Sequence, residues 1–478
     1  SSLHRFIASS LHRFIASSLH RAALLQSTAL VTACAILTPG LGSSPAQAEA
    51  GRGFFGYWVE GEEGSTNFDT FESFGTLTLP GANTPVLVND GQTLDLDNIA
   101  LTIGNEHGND GRFVVSEGQR LVTTNGIGVR GGEFSVTGAG AIVETSGISV
   151  YSKPHRLGKL SIADGGVVRI AGEQPEIVQL VFGQDLYCRY PNNDRRPDAD
   201  CAHETELEID GEGSLLELTP PASGHVGFLN SHADVQTATI TISNGGMFRI
   251  REATGIYRVY LRCDPILGSN ACTPVYRDAY PGEGNAGPYQ GHPIYRPDDG
   301  HLTFNIGAAS GQDAVAAGFV DFHKPLPLSG TGELVFNHTN TDYRFGASIS
   351  GTGSVLVENG TTILTHENSY TGGTTITGGT LRLADGGSIA SDTTINGGTL
   401  QVDDGGSITG NTTVSGGVVL VNGSLYAVTL NDGGVLGGDG TVGAVTANNG
   451  STLAPGTSIG TLNVDGDITL SAGSSYAV

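Results

Sequence analysis

Hydrophobic and polar positions in the C-terminal third of this chain repeat with a fixed period. The pattern at 374–383 returns at 393–402 and again at 412–421. Within each copy apolar and polar residues alternate, and an alternation of period two predicts a β-strand with one buried face. A unit this short cannot bury its apolar face alone, so we expect it to stack on its copies.

Paired glycines separate the predicted strands. At 385–387 and 404–406 the sequence reads Asp-Gly-Gly, and glycine readily adopts the positive φ that a tight corner needs. A short second strand follows each corner, at 388–389 and at 407–408. The pattern therefore predicts the coils of an all-β solenoid, that is, a parallel β-helix.

The same strand, corner and strand pattern occurs earlier in the chain. Residues 160–170 are nearly matched by 240–250, and 207–218 form a third copy. We therefore expect one fold from residue 86 to the end, with an irregular β-helix over 86–327 and a regular one over 328–478. Residues 49–85 are rich in Phe and hold the single Trp, and we predict that they cap the end of the solenoid core.

Two polar stretches interrupt the pattern, and we predict that they are loops inserted between coils. They span 187–206 and 253–300. The second is rich in Tyr and Arg, which are residues that suit a contact surface. Its candidate contact residues are Tyr257, Tyr260, Arg262, Tyr276, Arg277, Tyr280, Tyr289 and Tyr295.

Four of the five cysteines lie in pairs within these two loops. An exported chain meets an oxidising compartment, so we predict disulfides that join Cys188 to Cys201 and Cys263 to Cys272. Closing such small loops would contribute about 3 kcal/mol each. Other pairings are possible in principle, and a zinc site is an alternative, although the sequence has no C-x-x-C pair.

Residues 1–48 predict export. They contain no acidic residue, an apolar run at 22–37, and an A-x-A cleavage site formed by Ala46 and Ala48. One alternative is a membrane anchor, but polar residues break the run before it reaches a spanning length. Another is acylation at Cys34, which follows a lipoprotein-like Val-Thr-Ala. The octapeptide SSLHRFIA occurs twice in succession and is assigned to this signal region.

Composition and charge narrow the function. The chain has 48 acidic and 23 basic residues, with a formal net charge of -25, which makes nucleic acid an unlikely partner. Its 73 glycines are explained by the many corners of a solenoid. We assign no cofactor.

Candidate catalytic residues are few. Asp385 and Asp404 occupy the same position in successive copies and would stack, but each opens a Gly-Gly corner, where Asp is favoured for its turn chemistry. His203, Glu204 and Glu206 are a possible metal or acid–base group within a predicted loop. We therefore assign no catalytic residue and no metal ligand, and we expect that the chain is not an enzyme.

Residues 328–478 resemble a known family. The stretch at 328–334 (LSGTGEL) recurs at 349–355 (ISGTGSV), and ENSYTGGTTI at 367–376 is followed by GGTL at 378–381. The motif N-x-Y-T-G-G-T-T, a hydrophobe and GGTL resemble the passenger-associated repeat of bacterial type V autotransporters.

The resemblance implies a right-handed parallel β-helix that is exported by Sec in a Gram-negative bacterium. It also implies a C-terminal β-barrel in the outer membrane, before which this sequence is expected to stop. The passenger would be displayed at the cell surface or secreted, where adhesion to a host or neighbouring cell, or self-association, is the expected function. The alternative is a β-helical enzyme that degrades a polysaccharide, which would require carboxylates or histidines that converge in a cleft.

Overall fold

The protein is seen in a computed structural model, which describes residues 76–79, 86–87, 93–96, 100–103, 112–124, 126–152, 157–171, 177–184, 203–219, 225–231, 236–251, 259–260, 300–323, 325–328, 330–456 and 460–477. Every regular element among these residues is a β-strand, which confirms the all-β prediction. This part of the chain contains no helix that could cross a membrane. The predicted signal region, its Ala46, Ala48 and Cys34, and the aromatic residues of the predicted cap lie outside the described residues.

The strands form stacked coils with three faces, here named A, B and C. Face C consists of a 7-stranded sheet followed by an 8-stranded sheet, so the described residues form fifteen coils. The strands of face C are β3 (Thr93–Asp95), β6 (Arg120–Thr123), β9 (Ile142–Thr145), β12 (Val167–Ala171), β15 (Leu215–Thr219), β18 (Met247–Ile250), β21 (Phe319–Phe322), β24 (Tyr343–Arg344), β27 (Thr361–Leu364), β30 (Thr380–Leu383), β33 (Thr399–Val402), β35 (Val418–Val421), β37 (Val435–Gly438), β39 (Thr452–Pro455) and β42 (Ser475–Tyr476).

Face B has one strand in each coil. Its separate strands are β2 (Val86–Leu87), β5 (Arg112–Val115), β8 (Glu133–Thr137), β11 (Gly158–Ala163), β14 (His203–Asp210), β17 (Gln236–Ser243), β20 (Gly300–Gly307), β23 (Glu333–Asn337), β26 (Ser354–Asn359), β29 (Thr374–Ile376), β32 (Thr393–Ile395) and β41 (Ile468–Leu470). In coils 12 to 14 one long strand forms both face A and face B: β34 (Ser407–Val414), β36 (Ser424–Leu430) and β38 (Thr441–Ala447).

Face A precedes face B in every coil. Its separate strands are β1 (Thr76–Leu79), β4 (Ala100–Ile103), β7 (Ile127–Arg130), β10 (Gly147–Ser152), β13 (Ile177–Gln184), β16 (His225–Ser231), β19 (Val259–Tyr260), β22 (Leu326–Leu328), β25 (Ile349–Gly351), β28 (Glu367–Asn368), β31 (Ser388–Ile389) and β40 (Asn463–Val464). Coil 1 thus contains β1 to β3, and coil 15 contains β40 to β42. All ladder pairs join a strand to the corresponding strand of the next coil in parallel, so the predicted parallel β-helix is confirmed.

The core lies inside the coils, as the period-two alternation predicts. Leu381 pairs with Leu400 and Leu400 with Val419, and all three are fully buried. The residues between them on face C, such as Arg382 and Gln401, are half-buried and face outward. Each inward column therefore continues from coil to coil, and burial of these side chains stabilises neighbouring coils together.

The repeat period of the sequence is the length of a coil. Asp392 and Asn411 occupy equivalent positions of adjacent coils, are 19 residues apart, and are joined by a hydrogen bond. Coils 13 and 14 are shorter, because Ser415 and Asn431 are only 16 residues apart, and Asn431 and Asn448 are 17 residues apart. From coil 12 to coil 13 the chain loses two residues at the corner before face A, where Val402 to Ile408 becomes Val421 to Leu425, and one residue between faces A and B, where Ile408 to Asn411 becomes Leu425 to Ala427.

The predicted Asp-Gly-Gly corners are present. Gly386 and Gly405 have φ values of 87° and 78°, in the region where glycine avoids the strain of a Cβ atom. Asp385 also has a positive φ, 53°. The earlier copies behave in the same way, because the predicted matching segments form β11 with β12, β14 with β15, and β17 with β18 in three successive coils.

Candidate functional site

The two inserted loops leave the β-helix at one corner. The first lies between β13 on face A and β14 on face B, and the second lies between β19 and β20, which belong to the same two faces. On face B, His203 pairs with Gln236 and Gln236 with Gly300, so the strands that follow the loops start at stacked positions. We call this A-to-B edge of coils 5 to 7 the insertion corner. With about 4.8 Å between strands, the two loops re-enter face B about 10 Å apart.

Both loops are shorter at their ends than the sequence predicts. Residues 203–206 belong to β14, because inward Thr205 and Leu207 alternate with outward Glu204 and Glu206 and extend the strand. Tyr260 is the last residue of β19, and Gly300 is the first residue of β20. The other predicted loop residues lie outside the described residues: Cys188, Cys201, Tyr257, Arg262, Cys263, Cys272, Tyr276, Arg277, Tyr280, Tyr289 and Tyr295.

One member of the suggested acid–base group, Glu206, takes part in an ion pair. Lys159 Nζ on β11 lies 3.4 Å from Glu206 Oε2 and 2.8 Å from Glu208 Oε2 on β14. Burial alone would lower the pKa of Lys159, but its hydrogen bonds and charge interactions with Glu208 and Glu206 outweigh it and raise that pKa. Glu206 therefore has a structural partner beside the insertion corner.

Face C carries a ladder of alternating charges that the sequence analysis missed. Glu144, Arg169, Glu217, Arg249 and Asp321 occupy one register position in five successive coils. Their ion-pair distances run from 2.8 Å, between the Arg249 and Asp321 side chains, to 3.7 Å at Glu217. The sequence does contain a signal for this ladder, because Arg169 and Arg249 occupy the same position in the matching segments 160–170 and 240–250.

Glu217 is the centre of this charge ladder. Its side chain is only 3% exposed, and its carboxylate contacts Arg169, Arg249 and Arg251, the last at 2.9 Å. A buried carboxylate needs such partners, because an unpaired charge in the interior is costly. The ladder therefore ties coils 3 to 7 together on the face opposite the insertion corner.

No group of three or more His, Cys, Asp or Glu side chains in the described part of the chain is arranged to hold a metal ion. Asp385 and Asp404 are exposed corner residues, and Asp385 Oδ2 accepts a hydrogen bond from Arg344 Nη1 at 3.1 Å. This arrangement agrees with turn chemistry for the Asp-Gly-Gly corners.

A column of six threonines runs along the outer surface of face B from coil 10 to coil 15. Each one pairs in register with the next: Thr375, Thr394, Thr413, Thr429, Thr446 and Thr469. The first five alternate with buried residues, so their side chains face outward, and Thr469 continues their register in coil 15. We call this array the threonine column. Its members carry no charge and recur at every coil, about 4.8 Å apart.

A second polar column lies beside the threonine column, two residues further along each strand. In this column the Asn448 amide donates to Asn431 Oδ1 at 2.9 Å, and the Asn431 amide donates to Ser415 Oγ at 3.0 Å. The amides thus bind one another along the β-helix axis. Such side-chain ladders stabilise a flat, regular sheet.

The N-x-Y-T-G-G-T-T segment of coil 10 has a structural reason for each of its main residues. Buried Asn368 accepts a hydrogen bond from the Ile349 N–H at 3.0 Å and donates to two backbone carbonyls at 2.8 and 2.9 Å. Tyr370 is fully buried, its hydroxyl bonds to Thr374 Oγ1, and burial raises its pKa to about 12. A Cβ atom at Gly372 would lie 2.4 Å from the Gly353 carbonyl oxygen. The motif therefore joins coil 9 to coil 11.

Stacked three-strand coils with a continuous core and uniform corners define a β-solenoid scaffold. The repeats give the particular class. The family described as Passenger-associated-transport-repeat matches residues 358–383 and 387–402, which run from the end of β26 to the end of β33. These repeats support an autotransporter passenger domain as the class of this protein. No curated protein and no solved structure matches the chain.

A passenger domain of this kind implies a general route and destination. Autotransporter passengers cross the inner membrane through Sec and use outer-membrane translocation machinery, and they reach the cell surface, the outer membrane or the exterior.

Proposed function

We propose that this passenger is a non-enzymatic scaffold that displays the insertion corner at the cell surface for adhesion. The observation that supports this proposal is the position of the two longest insertions, which leave adjacent parts of the β-helix at one corner. Binding residues are commonly carried on loops that a rigid scaffold positions. The tyrosines and arginines of the second insertion, including Tyr280 and Tyr289, suit the centre of a protein contact.

The test compares loop and stalk variants of the full chain displayed on cells. Tyr280→Ala with Tyr289→Ala should reduce attachment to a target cell surface by tenfold or more, since central tyrosines contribute about 2 kcal/mol each at such contacts. Tyr426→Ala is the matched control, because Tyr426 is 65% exposed on β36, far along the chain from the insertion corner. Equal attachment by all variants would contradict adhesion through the loop. Release of reducing ends from an added polysaccharide would favour an enzyme instead.

The threonine column favours self-association as a second function. A second copy of this chain has the same coil spacing, so its threonines can stay in step with all six positions. Each hydroxyl can both donate and accept a hydrogen bond. Identical side chains stacked at about 4.8 Å also interdigitate well between paired sheets.

The area of the threonine column sets the expected strength. Six coils and a strand about 10 Å long give roughly 300 Å² per partner, well below the roughly 800 Å² of a stable complex. Two free molecules should therefore associate weakly, whereas many copies on one surface should adhere through multivalency. Because the chain carries a net charge of -25, salt should strengthen the association by screening repulsion.

Clustering of beads densely coated with the protein tests this second function. Thr394→Asp should prevent clustering, because it places a negative charge in the threonine column. Thr399→Asp is the matched control, since Thr399 faces outward in the same coil but on face C. Equal clustering by both variants, or clustering that weakens as salt rises, would refute an interface through the threonine column.

A further inference from the structure

Two of the three faces change sheet between coil 7 and coil 8. On face A the described ladder runs from β1 to β19, and a new pair begins with β22 and β25. On face C one sheet ends at β21 and the next begins at β24. Among the described strands, face B keeps a ladder across this point, through β20 and β23. Beside it, the Thr339 N–H donates to the Val315 carbonyl at 2.9 Å, and the Ala317 N–H donates to Asn340 Oδ1 at 2.8 Å. We call this place the joint.

Aromatic side chains fill the joint around one histidine. His338 is fully buried, with its ring 5.0 Å from Tyr343 and 6.5 Å from Phe336, measured between centroids. Phe336 packs edge-on against Phe345 at 5.3 Å, and the ring of Phe319 lies 6.2 Å from that of Tyr343. The contact between Phe319 and Tyr343 joins coil 7 to coil 8, and the others lie within coil 8, where the backbone of His338 pairs with Val315 of coil 7.

The polar atoms of this cluster are poorly satisfied. His338 Nε2 lies 2.9 Å from Thr362 Oγ1, but Nδ1 has no hydrogen-bond partner of good geometry, and neither has the buried Tyr343 hydroxyl. Nδ1 faces Gly360, where a Cβ atom would lie only 2.3 Å away. The site therefore has little room on that side for a group that could stabilise a charged imidazole.

No carboxylate compensates for this burial. Asp313 and Asp342 are exposed, and Glu333 and Glu358 lie on the outer side of β23 and β26. None of the described acids forms an ion pair with His338. Arg344, the basic residue of β24, is 59% exposed and pairs with Asp385. The titratable group in ring contact with the imidazole is Tyr343, which stays neutral at acid pH because burial raises its pKa further.

We propose that protonation of His338 opens the joint between coils 7 and 8, so that this passenger has a built-in acid-sensitive break point. A charged imidazole is costly in an aromatic cluster that offers it a hydroxyl but no carboxylate, whereas opening the joint returns it to water. The opening is local, because the coils on either side keep their own ladders and cores.

The sign and size of the effect follow from the histidine. Burial lowers the pKa of His338 from 6.5 to about 4, and the nearby Asn340 backbone opposes this shift only in part. The closed joint therefore excludes the proton, and its stability is complete above pH 6.5 and falls as the pH drops towards 4. The equilibrium for opening should rise about tenfold per pH unit, or roughly 300-fold over the whole window.

Glu333 should act in the opposite direction. Burial, and then repulsion by Glu358, raises the pKa of Glu333. Its protonation in acid removes that repulsion and favours the closed state. Glu358 also accepts hydrogen bonds from Ser310 Oγ at 2.8 Å and from the Gly311 N–H at 3.1 Å, both in coil 7, so variants of His338 are needed to separate the histidine from these carboxylates.

Hydrogen exchange of the full chain between pH 7 and pH 4, corrected for the intrinsic pH dependence of exchange, tests the proposal. Amides of β23 and β24 should lose protection as the pH falls, while those of β35 and β37 keep it. His338→Phe and His338→Gln should both remove the pH dependence, because neither new side chain titrates. The Gln variant also keeps a hydrogen-bonding partner for Thr362, so it serves as the test if the Phe variant does not fold. His366→Phe is the control, since His366 is an exposed histidine that directly precedes β28, on the C-terminal side of the joint.

Three results would overturn the proposal. The first is a wild-type joint whose protection does not change with pH. The second is a loss of protection that is uniform over all coils, which would indicate global acid unfolding. The third is retention of the local opening in both His338 variants. The proposal is supported if protection at the joint falls with pH in the wild type and in the His366 control but does not change with pH in the His338 variants.

Discussion

Three buried threonines stack inside face B, and replacing two of them by valine should make the protein more stable. Thr374, Thr393 and Thr412 pair in register and are at most 2% exposed. Thr374 Oγ1 bonds to the Tyr370 hydroxyl. The hydroxyls of Thr393 and Thr412 have no partner among the described residues. Threonine and valine have the same shape, so the substitution tests the hydroxyl alone.

The column itself shows that valine fits. Val355 precedes Thr374 and Val428 follows Thr412 at the same inward position, and both valines are about 1% exposed. A buried hydroxyl without a partner costs about 1–3 kcal/mol. Thr393→Val should therefore stabilise the protein by about 1–2 kcal/mol, and adding Thr412→Val should give somewhat less than twice that, because sites in adjacent coils are coupled.

The matched control is the same substitution one coil earlier. Thr374→Val removes the hydrogen bond between Thr374 and the buried Tyr370 hydroxyl, so it should destabilise the protein by about 1–2 kcal/mol. Opposite signs for Thr374→Val and Thr393→Val, measured by urea unfolding followed by circular dichroism, would support the reasoning. Hydrogen exchange of the amides in coils 11 and 12 should be measured as well, because a solenoid need not unfold in a single two-state transition and the local stability can differ from the global value.

A loss of more than about 1 kcal/mol in Thr393→Val would refute the reasoning, because a hydroxyl whose removal costs that much must have a hydrogen-bond partner. An internal water bound between Thr393 and Thr412 would produce that result.

Three further substitutions test other parts of the scaffold. Asn368→Ala should cost about 2–3 kcal/mol in urea unfolding, since it removes three hydrogen bonds to the backbone, two of them to neighbouring coils, whereas alanine at exposed Asn396 should cost little. Glu217→Gln should cost about 1–3 kcal/mol, because three arginines lose a buried carboxylate; an unchanged thermal midpoint would contradict this. Gly360→Ala should lower the thermal midpoint by several degrees, because φ is +77° and the added Cβ would meet His338.

Local pattern was sufficient to predict the coil. The fixed repeat period in 374–421 predicts stacking, and alternation predicts the inward columns at Leu381 and Leu383, which are fully buried. The Asp-Gly-Gly corners were equally readable, because a tight corner depends on the φ preference of a few neighbouring residues. These features depend on short stretches of chain, so they are visible without knowledge of the fold.

The surface features were not predictable in the same way. Arg249 and Asp321 are 72 residues apart in the sequence, yet their side chains are hydrogen-bonded across adjacent coils. Arg169 and Glu217 also pair in register, but a different length of chain separates them. Coil length varies with every insertion, so sequence distance does not give spatial neighbours on the irregular part of the β-helix. His338 is a similar case, because its burial depends on segments from elsewhere in the chain.

The sequence by itself determined that this protein is a β-helix with passenger-associated repeats, because the repeat length, the alternation and the glycine corners are all local. The tertiary structure alone decided that both insertions share one corner, that the threonines form one outward column, and that two ladders change sheet at His338. The physical reason is that these arrangements depend on the register between coils. That register is set by backbone pairing and by the packing of the whole core, to which each residue contributes only a small part.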